Sequence, residues 1–124
     1  MSPRPSNKEI YDKVCFALES LRAGRWQIGL TKHLTGDLAE LELDSTQDLP
    51  NLLIELLEEI KAAGPVSCYA GSRPPQRSYE REIQDLELWA YHWQSHRLGK
   101  RMYLKLAMKK QWYIHVDCHE DRPE

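Results

Sequence analysis

Two histidines, two tyrosines and two long cations recur at alternate positions near the end of the chain. Arg101, Tyr103 and Lys105 fall in one run, and Tyr113, His115, Asp117 and His119 fall in the next. Side chains two apart on an extended strand share a face, so two paired strands would gather all seven on one surface. Those residue types suit metal-independent cleavage of RNA, in which the ribose 2′-OH attacks the adjacent phosphate. The reaction needs a base near the 2′ oxygen, an acid for the departing 5′ oxygen and cations for the phosphorane charge. Histidine exchanges protons near neutral pH, which makes His115 and His119 the candidate acid and base. Tyr103 would then be a phosphate ligand or proton donor, with Arg101 and Lys105 stabilising charge. The competing reading is a solvated face. An antiparallel sheet with one wet side carries polar residues at every second position and pairs Lys with Asp or Tyr across strands.

The same run holds His115-x-Asp117-x-His119, three metal-ligand types spaced about 6.8 Å apart per step along a strand. Three ligands from one straight strand rarely close on one ion, and Lys105 and Arg101 opposite them would repel a divalent cation. No metal or other cofactor is therefore expected. No Gly-rich phosphate loop occurs. The cysteines, Cys15, Cys68 and Cys118, are odd in number and have no metal-knuckle spacing, which fits reduced thiols.

The chain has 124 residues and a net charge of -2, and that small charge hides a segregation. Residues 1–64 hold 7 Lys/Arg against 11 Asp/Glu, whereas residues 65–124 hold 10 against 8. From Leu88 to Val116 no acidic residue occurs, and that window carries six of the eleven aromatics. A basic, aromatic-laced segment is a candidate surface for a phosphate-rich partner. Trp89, Tyr91, Trp93 and Tyr113 could stack on unpaired bases, and Arg97 and Lys100 could hold phosphates beside them. For the tryptophans the rival reading is burial in a core. No run approaches the ~18 apolar residues of a membrane span, and Met1-Ser-Pro-Arg-Pro lacks the apolar stretch of a signal peptide, so no membrane association and a cytoplasmic location are expected.

The elements that must position these residues are legible in outline, and they predict one α+β domain over 1–124, with N-terminal helices packed on a C-terminal antiparallel sheet. Ser6-Asn7-Lys8-Glu9 has the capping-box form and opens a helix over 7–23 that stops at Gly24. A weaker helix is predicted over 31–41, capped by Thr31 and burdened by Gly36. The stretch from Arg25 to Leu30 is ambiguous. A Leu-rich helix over 46–63 presents Leu49, Leu52, Leu53, Leu56, Leu57 and Ile60 on one face. Strands are predicted over 65–69, 83–94, 101–109 and 112–119, with an exposed loop from Ala70 to Ser78 and a basic loop from Ser95 to Lys100. In the last strand Trp112, Ile114, Val116 and Cys118 are expected to share the core face. A three-residue turn, Lys109-Lys110-Gln111, would place Met108 opposite Trp112, Tyr103 opposite Asp117 and Lys105 opposite His115. A register two residues along, with the same faces, would shift each partner.

With this order of elements, the chain resembles the MqsR and RelE-type bacterial mRNA interferase toxins. The resemblance runs from about Leu18 to His119. It comprises Ala23-Gly24 ending the first helix, Leu41-Glu42-Leu43-Asp44 before the Leu-rich helix, an aromatic strand before a basic loop, Tyr103-Leu104-Lys105, and Val116-Asp117-Cys118-His119. It implies a RelE-like fold, with the family's catalytic tyrosine at Tyr103 and a basic residue of the chain end at His119. The family's lysine after the Leu-rich helix has no counterpart between Gly64 and Tyr79, and its glutamine on the aromatic strand meets Glu87, Leu88 or Trp89. Membership would imply the toxin of a bacterial toxin-antitoxin system, an endoribonuclease that cleaves mRNA free or on the ribosome. It would also imply no cofactor, a cognate antitoxin masking the basic face, and a loop from Ala70 to Glu82 for substrate or partner contact. The alternative class is a non-catalytic nucleic-acid- or protein-binding regulatory module.

Overall fold

The computed structural model describes residues 5–72 and 75–121; the first four residues, Arg73 and Pro74 of the predicted loop, and the last three residues lie outside that range. The first helix, α1, spans Asn7–Arg22, and both halves of its capping box form: Glu9 N–H donates to Ser6 Oγ at 3.1 Å and Ser6 N–H to Glu9 Oε1 at 3.2 Å. The ambiguous stretch that follows contains a three-residue strand, β1 (Trp26–Ile28). Next come α2 (Thr31–Glu40), a 3₁₀ turn over Thr46–Asp48, and α3 (Leu49–Ala63), whose six predicted apolar residues are all buried. The expected strand over 65–69 is instead a single helical turn, Pro65–Cys68. Gly64, at φ 103°, turns the chain, and Pro65 has the fixed φ that starts a helix. Of that predicted strand, Tyr69 alone is extended against the sheet, in an isolated bridge to Tyr91. The remaining strands are β2 (Leu88–Ser95), β3 (Lys100–Lys109) and β4 (Trp112–Glu120). The predicted start of β2 at residue 83 falls too early, because Arg81–Ile83 form another 3₁₀ turn.

The sheet order is β1-β4-β3-β2, with β1 parallel to β4 and the other pairs antiparallel. The fold is α+β, as expected. Apolar residues of α1 and α3 join Trp89, Tyr91, Trp93, Leu104, Leu106 and Tyr113 in one core on a single face of the sheet. The opposite face is largely open and carries a smaller cluster of Leu30, Ile83, Ala107, Ile114 and Val116.

One irregularity decides which side chains reach the open face. The β3–β4 turn has two residues, not three, with Lys110 in the left-handed region at φ 58°. Lys109 therefore pairs with Trp112, Met108 with Tyr113 and Leu106 with His115. This one-residue slip reverses the expected faces near the turn. Tyr113 and His115 point into the helix-covered core, and Ile114 points outward. A bulge opposite Lys105/Leu106 then absorbs Val116, and beyond it Lys105 pairs with Asp117, Leu104 with Cys118 and Tyr103 with His119. The expected faces are restored there. Of the predicted core set on β4, Cys118 alone lies in the main core.

The outer edge of β4 is covered by two different devices. Its first half pairs with β1, and Gly29 N–H donates to His115 O at 2.7 Å. In its second half, carboxylates of α2 replace a strand. Asp37 Oδ2 accepts from Cys118 N–H at 3.1 Å, and Glu40 Oε2 accepts from Glu120 N–H at 2.7 Å. Free strand edges invite unwanted pairing, and side-chain acceptors from a helix close this one. Among the described residues, no helix is long and apolar enough to cross a membrane.

Candidate functional site

The bulge leaves a compact polar cluster on the open face. Tyr103 and His119, opposite each other on β3 and β4, stack with ring centroids 5.2 Å apart and planes 24° apart. Lys105 Nζ lies 5.9 Å from the Tyr103 ring centroid. Arg101 Nε donates to Asp121 Oδ2 at 2.9 Å, and the same oxygen lies 3.4 Å from His92 Nδ1. Four of the predicted catalytic residues, Arg101, Tyr103, Lys105 and His119, are thus brought together.

His119 Nδ1 lies 2.8 Å from the carbonyl oxygen of Glu120. A carbonyl can only accept, so Nδ1 carries a hydrogen, and in the neutral ring Nε2 is the nitrogen with the lone pair. Tyr103 is half-buried. Burial, reinforced by Asp117 and Asp121, pushes its pKa from the ordinary 10.0 up to about 12. At neutral pH it is a phenol, able to donate a hydrogen bond or proton and not a base. A raised folded-state value means that this group's stabilising contribution is complete below pH 10 and is lost as the pH rises through about 12. An alkaline titration followed by tyrosinate absorbance should show a step near pH 12 that Tyr103→Phe removes. If the variant instead loses its amplitude near pH 10, Tyr103 sits in an ordinary solvated setting.

The fifth predicted catalytic residue is elsewhere. The turn slip puts His115 under the sheet, 1% exposed, with Nε2 3.0 Å from Asp37 Oδ2. It cannot meet a substrate on the open face, and it binds α2 to β4 instead. The three proposed metal-ligand types are separated by the same reversal: His115 faces the core, while Asp117 and His119 face outward. Among the described residues, no group of three His, Cys, Asp or Glu side chains is placed to hold an ion. The Cys118 thiol is buried, and burial together with Asp37 pushes its pKa up.

The residues predicted to contact RNA are placed differently again. Trp89, Tyr91, Trp93 and Tyr113 are between 0% and 3% exposed in the main core, where none offers a ring face to a base. Trp89 packs against Tyr69 and lies under Lys13 Nζ at 4.8 Å. The rival reading of the tryptophans, burial in a core, describes Trp89 and Trp93, and Tyr91 and Tyr113 are buried with them. Arg97 pairs with Glu55 of α3 at 3.0 Å, and its loop is folded onto Glu59. The Glu59 carboxylate accepts from Trp93 Nε1, Ser95 Oγ, His96 N–H and Arg97 N–H at 2.7–3.0 Å. Burial alone would push the Glu59 pKa up, but those four donors outweigh it and hold the carboxyl below its usual value. Lys100, half-buried, pairs with Ser95 at the start of β3. The 29-residue acid-free window of the sequence is therefore not acid-free in space, since α2, α3 and Asp121 supply it with carboxylates.

Two members of the cluster escaped the sequence reading. His92 shares one side of the period-two alternation with Ala90, but the sequence alone did not set that side outward, whereas Asp121 follows the predicted end of the last strand and had no periodicity to mark it. Compared with known proteins, the chain matches no family model, no curated protein and no solved structure.

Proposed function

We propose that the open-face cluster is a ribonuclease site, and that the protein is the toxin component of a bacterial toxin-antitoxin system, cleaving mRNA by metal-independent 2′-OH attack. The observation that carries this reading is the stacked Tyr103–His119 pair with Lys105 beside it. It joins the His119 imidazole, whose Nε2 accepts a proton when the ring is neutral, a neutral phenol and an ammonium on the open face of the sheet. His119 takes the 2′ proton, Tyr103 donates to a phosphate oxygen or the departing 5′ oxygen, and Lys105 with Arg101 stabilises the phosphorane. The reading also draws on the resemblance of the sequence to MqsR and RelE-type toxins, carried by Tyr103-Leu104-Lys105 and Val116-Asp117-Cys118-His119. On this reading the chain acts in the cytoplasm without a cofactor, and its open face is what a cognate antitoxin would mask.

A second reading, a non-catalytic nucleic-acid- or protein-binding module, is favoured by the engagement of Arg97 and Arg101 with Glu55 and Asp121. Purified protein incubated with RNA in EDTA separates the two. The nuclease reading expects cleavage that leaves 2′,3′-cyclic phosphate ends and stops when the attacking nucleotide is 2′-deoxy. Intact RNA, or cleavage indifferent to the 2′-OH, would overturn it.

A further inference from the structure

Beside the cluster lies a hollow of about 280 Å³, floored by Leu88 and Ala90 of β2 and by Tyr103 and Lys105 of β3. Its volume is that of about nine water molecules, more than enough for one purine ring system. Its walls are fastened to the sheet on both sides. Ala70 N–H donates to Ala90 O at 2.9 Å, Leu88 N–H donates to Gln76 O at 2.8 Å, and Tyr69 Oη donates to Ser72 O at 2.8 Å. Gly71 passes so close to the Tyr69 ring that a Cβ there would lie 2.5 Å from the phenol oxygen, so any larger residue would have to displace that ring. The side chain of Gln76 is exposed at the rim and carries a donor and an acceptor side by side.

Resting on the RNA reading above, we propose that this hollow seats one unpaired nucleobase, next to the phosphate that Lys105 and the Tyr103–His119 pair engage. Leu88 and Ala90 give the floor an apolar part that suits a base's flat face, and a rim amide suits its hydrogen-bonding edge. Lys105, at the boundary, suits the phosphate that follows. Among the described residues, no carboxylate lines this hollow. Across Lys105, a neighbouring hollow of about 190 Å³ is lined by Glu80 and Asp117, which disfavour a phosphate-linked group.

Binding of short labelled 2′-fluoro oligonucleotides, which cannot undergo 2′-OH attack, tests the seat by fluorescence anisotropy. Removing the base at one position of the oligonucleotide should weaken binding to the unaltered protein about tenfold, within the range expected for a stacked base. Ala90→Leu, which fills the floor, should weaken binding of the intact oligonucleotide by a similar factor and make base removal inert. Gln76→Ala, at an exposed position that folding does not need, should reduce the same base dependence, and it decides the matter if Ala90→Leu fails to fold. Absence of binding, binding indifferent to base removal at every position, or an undiminished base dependence in both variants would overturn the proposal. Cleavage of natural RNA is scored separately. Base-dependent binding without cleavage leaves the seat standing and removes the nuclease, whereas cleavage without base dependence does the reverse.

Discussion

Asp37→Ala should destabilise the protein by about 2–6 kcal/mol, because it leaves two buried donors unpaired at about 1–3 kcal/mol each. The size follows from geometry. One oxygen, Asp37 Oδ2, accepts from both His115 Nε2 at 3.0 Å and Cys118 N–H at 3.1 Å. The His115 and Asp37 side chains are 1% and 7% exposed, so neither abandoned donor gains water in exchange. The loss is also topological, because α2 closes the second half of the β4 edge through this carboxylate. Asp37→Asn is the informative control: its amide oxygen can occupy the same place and accept both bonds, so it should cost less than half as much. Urea denaturation of the two variants measures the difference, and light scattering reads any pairing through the opened edge. If Asp37→Ala unfolds within about 1 kcal/mol of the unaltered protein, the latch is unimportant, since even one ordinary hydrogen bond contributes about that much.

The same pair marks where sequence reading stops. Helix α1 was legible to its capping bonds because Ser6 and Glu9 lie three residues apart and interact only locally. The Leu-rich face of α3 was legible because six apolar residues recur at helical spacing. The faces of β4 depended on a single residue in a turn. Alternation along Trp112–Cys118 is equally apolar at odd and even positions near the turn, Tyr113 being as able to enter a core as Ile114, so periodicity could not choose. The choice was made by a two-residue loop that puts Lys110 at positive φ, a conformation its sequence does not advertise. The bulge at Val116 then restored the expected parity, which is why Tyr103, Lys105 and His119 lie together as expected and His115 does not. Sequence also could not show that charges segregated along the chain would be mixed in space, because Glu59, Glu55 and Asp37 reach the basic segment only through tertiary packing.

If the open face is catalytic, His119→Ala should lower the cleavage rate by about 10²-fold or more, the scale of losing a general acid or base. Lys105→Ala should cost a similar factor through the unstabilised phosphorane charge. Tyr103 has two separable contributions. Tyr103→Phe keeps the ring that stacks on His119 and removes the hydroxyl, whereas Tyr103→Ala removes both. A proton or hydrogen bond from the phenol requires Tyr103→Phe to be impaired nearly as much as Tyr103→Ala. Were the ring merely holding His119 in place, Tyr103→Phe would be close to the unaltered rate. Because the two rings touch, the losses in a Tyr103→Phe, His119→Ala double variant should fall short of their product, as happens for residues acting on one step. Retention of full rate in all of these single variants would move the chemistry off this face. The cluster would then be an ordinary wet side of a sheet, in which Lys105 pairs across strands with Asp117 and the Tyr103–His119 stack contributes only to cross-strand packing.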